Sequence, residues 1–159
     1  MASTETLTPQ DWTEVVSPPR HIADAVAALV PDTDGANLTT TQLADLSEAI
    51  VADESIWRPM VIADPDRRRY RLLYEDDRVD VWVIMWMPGQ GTGYHDHSHS
   101  AVGLCGAEGA ALEKQMTLPS GHTEVEVRPG VRREGPVGYI HSVAHLEGEP
   151  AITIHSYSP

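Results

Sequence analysis

Three histidines fall within five positions in the stretch GYHDHSHS, residues 93–100: His95, His97 and His99. A neutral imidazole is a common ligand for divalent metals, and alternate residues of an extended chain project to the same side. On a strand, His95 and His97 would offer two nitrogen donors from one face, with Asp96 turned away. His99 keeps the alternation, but three successive ligands from one strand rarely fit one ion, so it is assigned to the edge of a site or to solvent. Gly89 frames the pair as G-x5-H-x-H. A second framed histidine occurs in GVRREGPVGYIHSVAH (130–145), which reads G-x5-P-x-G-x2-H through Gly130, Pro136, Gly138 and His141. His145, four residues on, is expected to stand behind the ligands and support them. The bland alternatives are turn histidines, which is how His21 and His122 are taken, or a zinc site.

The C-terminal stretch EPAITIHSYSP (149–159) places Thr153, His155 and Tyr157 at alternate positions, so a strand would present hydroxyl, imidazole and phenol on one face. An outer strand with polar alternate residues would look the same. A further concentration of chemistry is DRRRYR (66–71), which holds four of the chain's ten arginines; Lys114 is the single lysine.

The elements that must carry these groups fall into two textures. Residues up to about 58 read as helical. PPRHIADAVAALVPD has Ile22, Val26, Leu29 and Val30 at helical spacing, and TTTQLADLSEAIVADESIW follows threonine caps with Leu43, Leu46, Ala49 and Ile50. Trp57-Arg58-Pro59 should close that region. From about residue 60, short β-branched and aromatic runs alternate with Pro/Gly turns, as in RLLYEDDRVDVWVIMWMPGQGTG and AITIHSYSP. The expectation is a mostly β, single-domain protein: a helical N-terminal cover (about 1–58) on a small barrel or sandwich (about 60–159).

With 159 residues, 41% apolar and 22% charged, the chain suits one soluble domain. A formal net charge of −13 argues against nucleic acid or an anionic membrane as partner. No apolar run approaches a membrane span, and the N-terminus lacks a basic-then-apolar signal pattern. One cysteine, Cys105, excludes an internal disulfide and agrees with a cytoplasmic location.

The two framed histidine patterns together resemble the paired motifs of the cupin superfamily, a small β-barrel or jelly roll. That family supplies a glutamate beyond H-x-H with three or four residues between, where Ala101 and Val102 stand here. Three histidines without a carboxylate resemble the narrower cysteine dioxygenase-like thiol dioxygenases, whose Ser-His-Tyr relay the C-terminal stretch resembles, with Thr153 replacing serine. The resemblance implies a mononuclear Fe(II) held by His95, His97 and His141. It further implies O2-dependent conversion of a small thiol carboxylate, cysteine or 3-mercaptopropionate, to its sulfinic acid. Three neutral imidazoles suit iron and leave open positions on one face. Tyr157, oriented by His155 and Thr153, would act at the substrate.

Some relatives cross-link the relay tyrosine to a cysteine. Counting from His95 puts that position at Val102, so no Cys–Tyr link is expected, and Cys105 reads as a buried structural thiol. An arginine should grip the substrate carboxylate. Ungapped counting selects Arg69, and sliding the register selects Tyr70 or Arg71. Arg67 and Arg68 read as a solvated loop. Metal binding should weaken as pH falls through roughly 6 to 7. Expected partners are the thiol and O2, and the resemblance leaves room for a homodimer. Two competitors stay open: a cupin metalloenzyme acting on another small molecule, and a non-catalytic metal- or ligand-binding cupin.

Overall fold

The computed structural model describes residues 16–159 apart from 118 and 120. The part of the helical cover expected over residues 1–15 lies outside the described residues. Three helices come first: α1 (Arg20–Ala27), α2 (Thr40–Ala52) and α3 (Glu54–Trp57), followed by a 3₁₀ turn at Arg58–Met60 that contains Pro59. The threonine cap is real. Thr39 accepts from the Gln42 backbone at 3.2 Å while the Gln42 side chain accepts from the Thr39 backbone at 2.9 Å. This reciprocal box satisfies two otherwise orphaned donors.

Six strands follow: β1 (Arg69–Glu75), β2 (Asp80–Trp86), β3 (Ala101–Met116), β4 (His122–Val127), β5 (Arg132–Gly135) and β6 (His141–Ser158). They pair antiparallel in the order β1-β2-β6-β3-β4, with β5 also on β3. Strands β3 and β6 are long enough to fold over themselves. Their register slips between Gly106 and Ala111, where bulges bend the sheet. Gly109 sits in that bend with a φ of +59°, and an added Cβ would meet the Glu147 carbonyl at 2.5 Å.

Strand alternation splits the protein into two cores. On β2, Val81, Val83 and Met85 face outward and pack with Ile152 and Ile154 of β6 against Leu43, Leu46 and Ile50 of α2. Trp82, Ile84 and Trp86 face the other way, into the barrel, beside their β6 partners His155, Thr153 and Ala151. The helical cover therefore seals the outer face of the sheet and leaves the inner face to chemistry. Each fully buried aliphatic side chain of the cover contributes about 1.5–3 kcal/mol.

Gly103 allows the cover to sit this close. A Cβ there would lie 2.2 Å from the Ala44 backbone nitrogen, and the Gly103 carbonyl accepts the Ser47 hydroxyl at 3.1 Å. Ser47 also bonds Ser156 of β6 at 2.8 Å, so one helical serine ties α2 to two strands. Gly103→Ala should cost about 1–3 kcal/mol of stability by urea unfolding, because backbone meets backbone and neither side can yield. An unchanged midpoint would show that α2 does not rest on β3.

Candidate metal centre

The stretch carrying His95 and His97 is not a strand. After Trp86 the chain turns, with Gln90 N–H donating to the Met87 carbonyl at 3.0 Å and Gly89 at a φ of +85°. It then runs on beside β6 through isolated contacts at Gly91–Ala144 and His95–His141. His95 and His141 exchange both backbone bonds, at 2.9 and 3.0 Å. Gly93, Gly89 and the positive-φ Ser98 give the loop curvature that a regular strand lacks. The expectation of two ligands from one strand face is thus corrected: His97 reaches the same point from a curved loop.

The ligand atoms of His95, His97 and His141 lie within 4.8 Å of one another, and they form the sole such cluster among the described residues. Two of the three rings have their outward nitrogen committed. His95 Nδ1 faces the Gly93 carbonyl at 3.0 Å, and His141 Nδ1 faces a Glu113 carboxylate oxygen at 2.8 Å. Those acceptors require N–H on Nδ1, which leaves both Nε2 lone pairs for a cation. His97 Nε2 points at His141 Nε2 at 3.0 Å. Three inward-facing imidazole nitrogens fit one divalent transition metal. Burial, then the charges of His95 and His141, pushes the His97 pKa down to about 3. Burial also lowers His95, with His141 and Arg68 adding to it and the Gly93 carbonyl opposing. His95 and His97 are thereby held neutral, as metal ligands must be.

The C-terminal relay forms as a linear chain on the inner face of β6. Trp86 Nε1 can only donate, so Thr153 Oγ accepts it, at 2.9 Å. The remaining hydrogen-bond neighbour of the threonine hydroxyl among the described residues is His155 Nε2, at 2.9 Å; donation of its proton there puts the ring proton on Nδ1, 3.1 Å from Tyr157 Oη. The phenol accepts this bond and keeps its own proton to offer. The Tyr157 ring lies 4.7 Å from that of His97 and lines the cleft above the three histidines. Burial, then the Asp80 charge, raises the Tyr157 pKa well above the phenol range, against Arg68, so the group is a proton donor. Burial, then the surrounding imidazoles and Arg68, drives His155 well below its ordinary value.

The cleft encloses about 660 Å³, within the range of small-molecule sites. Its wall includes Arg68, Tyr70, Trp82, Trp86 and Tyr94. Arg68 Nη1 donates to the Gly91 carbonyl at 2.9 Å, and its guanidinium lies 5.4 Å over the Trp86 ring. This differs from the solvated role read for Arg68 in the sequence. Arg69 is drawn to Asp64 instead, at 2.7 and 2.8 Å, and β1 alternation puts Arg69 and Arg71 with Met85 and Val83 on the helix-facing side. Tyr70 does line the cleft, edge-on to Trp82 at 5.7 Å.

His99 lies in an exposed turn and does not line the cleft. His145, four residues along β6 from His141, turns its ring to the Gly148 carbonyl, and neither His99 nor His145 joins the three-histidine cluster. Val102 stands opposite Tyr157, while Cys105 stands opposite Ile154 on the helix-facing side, its thiol pushed up to about 11 by burial and then Glu48. Missed in the sequence were Trp86, which anchors the relay, and Glu113, which holds His141. Both sat in runs that read as ordinary strand.

A curled antiparallel sheet with three imidazoles converging inside it defines a cupin metal centre. Comparison with known proteins narrows this. The family model for cysteine dioxygenase type I matches residues 11–159, and the chain belongs to that family of thiol dioxygenases. Human cysteine dioxygenase type 1 is 27% identical over 94% of this chain and 79% of its own length; the zebrafish (Danio rerio) protein is 25% identical over the same shares. Among solved structures, a double-stranded β-helix protein of Klebsiella pneumoniae superposes with a TM-score of 0.55 at 20% identity, covering 64% of this chain and 85% of that one. The cupin domain of Cnp3 from Schizosaccharomyces pombe gives 0.53 at 13%, covering 63% and 65%. These likenesses carry the fold. No helix among the described residues is long and apolar enough to cross a membrane.

The lowered histidines set a pH prediction. His95, His97 and His155 stay neutral in the folded protein, while unfolded histidines take up protons near 6.5. The unfolded state therefore binds more protons below that value, and stability falls as pH drops from 6.5 toward 3. Urea unfolding of the metal-free protein at pH 7, 6 and 5 should show this decline; a flat profile would contradict it.

Proposed function

We propose that the protein is an Fe(II)- and O2-dependent dioxygenase that converts a small thiol carboxylate, cysteine or 3-mercaptopropionate, to its sulfinic acid. The observation that carries this reading is the joining of two units at one cleft: the three-imidazole cluster and the Trp86–Thr153–His155–Tyr157 relay. The family supports it, as do relatives that are cysteine dioxygenases by name.

Iron held by His95, His97 and His141 would supply a site where thiolate and O2 meet, with three neutral donors that leave the metal its full charge. The overall reaction adds both oxygen atoms to sulfur, so the thiol gives up four electrons and O2 takes them. The protein's part is positioning and proton control. Arg68 meets the substrate carboxylate with a planar fork of donors, and the faces of Trp82 and Tyr70 enclose the short carbon chain. Tyr157 directs its hydroxyl proton into the cleft, because His155 Nδ1–H already occupies the phenol oxygen. With Val102 opposite it, Tyr157 works as a plain phenol without a thioether link.

Protein loaded anaerobically with ferrous iron should consume O2 when given a thiol carboxylate and yield a product heavier by two oxygens. Bound iron without uptake for any small thiol would reject the thiol reaction and leave the cupin centre standing. Tyr157→Phe should keep its iron while kcat falls about 100-fold or more; an unchanged rate would discard the relay. Arg68→Met should raise KM for 3-mercaptopropionate more than for a thiol without a carboxylate, and equal effects would remove Arg68 from substrate binding.

A further inference from the structure

Behind His141, on the side away from the cleft, lies a polar cluster that is buried except at its Arg133 edge. Glu113 of β3 and His141 of β6 are both 1% exposed, diagonal neighbours across the β3–β6 pairing. One Glu113 oxygen accepts His141 Nδ1–H at 2.8 Å and the Tyr139 hydroxyl at 2.9 Å. The other accepts Arg133 Nε of β5. A carboxylate this deep requires partners for its charge, and all three partners here are donors.

We propose that Glu113 is the positioning residue of the metal centre, holding His141 in the Nδ1–H tautomer with Nε2 aimed at His95 and His97, and that Arg133 enforces this by locking the carboxylate in place. The inference rests on the three-histidine metal reading, and stands apart from which substrate is oxidised. The geometry distinguishes His141 from its partners. His95 gains the same tautomer from a loop carbonyl, Gly93, two residues away. His141 lies on a buried strand whose backbone groups are used by His95, so its ring needs a side-chain acceptor from the neighbouring strand. Outer-sphere carboxylates of this kind fix ring orientation and raise ligand basicity.

The isostere exposes the logic. In Glu113→Gln the side chain keeps its shape but has one acceptor end and one donor end. Arg133 can only donate and stays charged, so the amide carbonyl turns to Arg133 and the NH2 turns to His141. His141 must then accept on Nδ1 and carry its proton on Nε2, the atom that should bind metal. Replacing Arg133 by Met in the same chain removes that demand and lets the carbonyl return to His141. The Tyr139→Phe change deletes a different donor to the same carboxylate and leaves the His141 bond in place.

Two measurements test this. Nitrogen-15 NMR of the imidazoles in the metal-free protein should show His141 protonated on Nδ1 in the parent and on Nε2 in Glu113→Gln. Titration with Fe(II) against a competing chelator should give a Kd raised about 10- to 100-fold in Glu113→Gln, within about twofold of the parent in Tyr139→Phe, and largely recovered in Glu113→Gln with Arg133→Met. A folded Glu113→Gln protein that binds Fe(II) like the parent would overturn the proposal, as would Nε2 protonation of His141 in the parent. Equal losses in Glu113→Gln and Tyr139→Phe would reduce Glu113 to a packing role and overturn it too. Should Glu113→Gln not fold, the parent spectrum alone decides. If the parent binds no Fe(II), the metal reading itself fails; if it binds Fe(II) but oxidises no thiol, only the substrate reading does.

Discussion

The reciprocal pair of backbone hydrogen bonds between His95 and His141 is the constraint on which the site depends. One partner belongs to a curved loop and the other opens the longest strand, 46 residues later in the chain. Exchange of both bonds fixes their Cα positions opposite each other, and the rings then share one side. Every other element of the centre takes its place from this junction. His97 arrives because the loop bends after His95, and Glu113 arrives because β3 pairs with the strand that His141 begins. The relay arrives because the far half of that same strand continues down the barrel wall.

Strand alternation then separates stability from chemistry. The outer faces of β2 and β6 carry aliphatic residues that pack under α2, and the inner faces carry tryptophan, threonine, histidine and tyrosine. Burying the polar inner face is tolerable because its groups bond one another in series, leaving the Tyr157 proton for the cleft. Trp86 donates to Thr153, Thr153 to His155, and His155 to Tyr157, each link fixing the direction of the next. Such a chain has a defined polarity once the threonine proton points at His155 Nε2. Two further donors are fixed the same way, at Gly93 for His95 and at Glu113 for His141.

Electrostatics in the cleft follow from the same burial. His95 and His97 are desolvated and crowd a third imidazole, so their protonation is disfavoured. Arg68 lies at this cleft within a chain of strongly negative net charge. It disfavours protonated histidine and favours an anionic guest. The neighbouring Arg69, one residue along, turns to Asp64 on the opposite side of β1. A one-residue difference in register thus decides whether a guanidinium lines the cleft or ties down the scaffold.

Much of the site was legible in the chain alone. Histidine spacing inside two glycine/proline frames named His95, His97 and His141, and period-two alternation put Thr153, His155 and Tyr157 on one face. Helical periodicity and the Thr39 cap placed the cover. These signals are local, because they depend on the repeat of a single element. What the chain could not reveal by itself were partnerships between elements distant in sequence. Glu113 reads as one charge in an ordinary strand until β3 is set beside β6, and Trp86 reads as core until its indole meets Thr153. That Arg68 rather than Arg69 lines the cleft needed the register of β1 on β2. Pairing and register are decided when sheets close over a core, and that decision belongs to the tertiary structure.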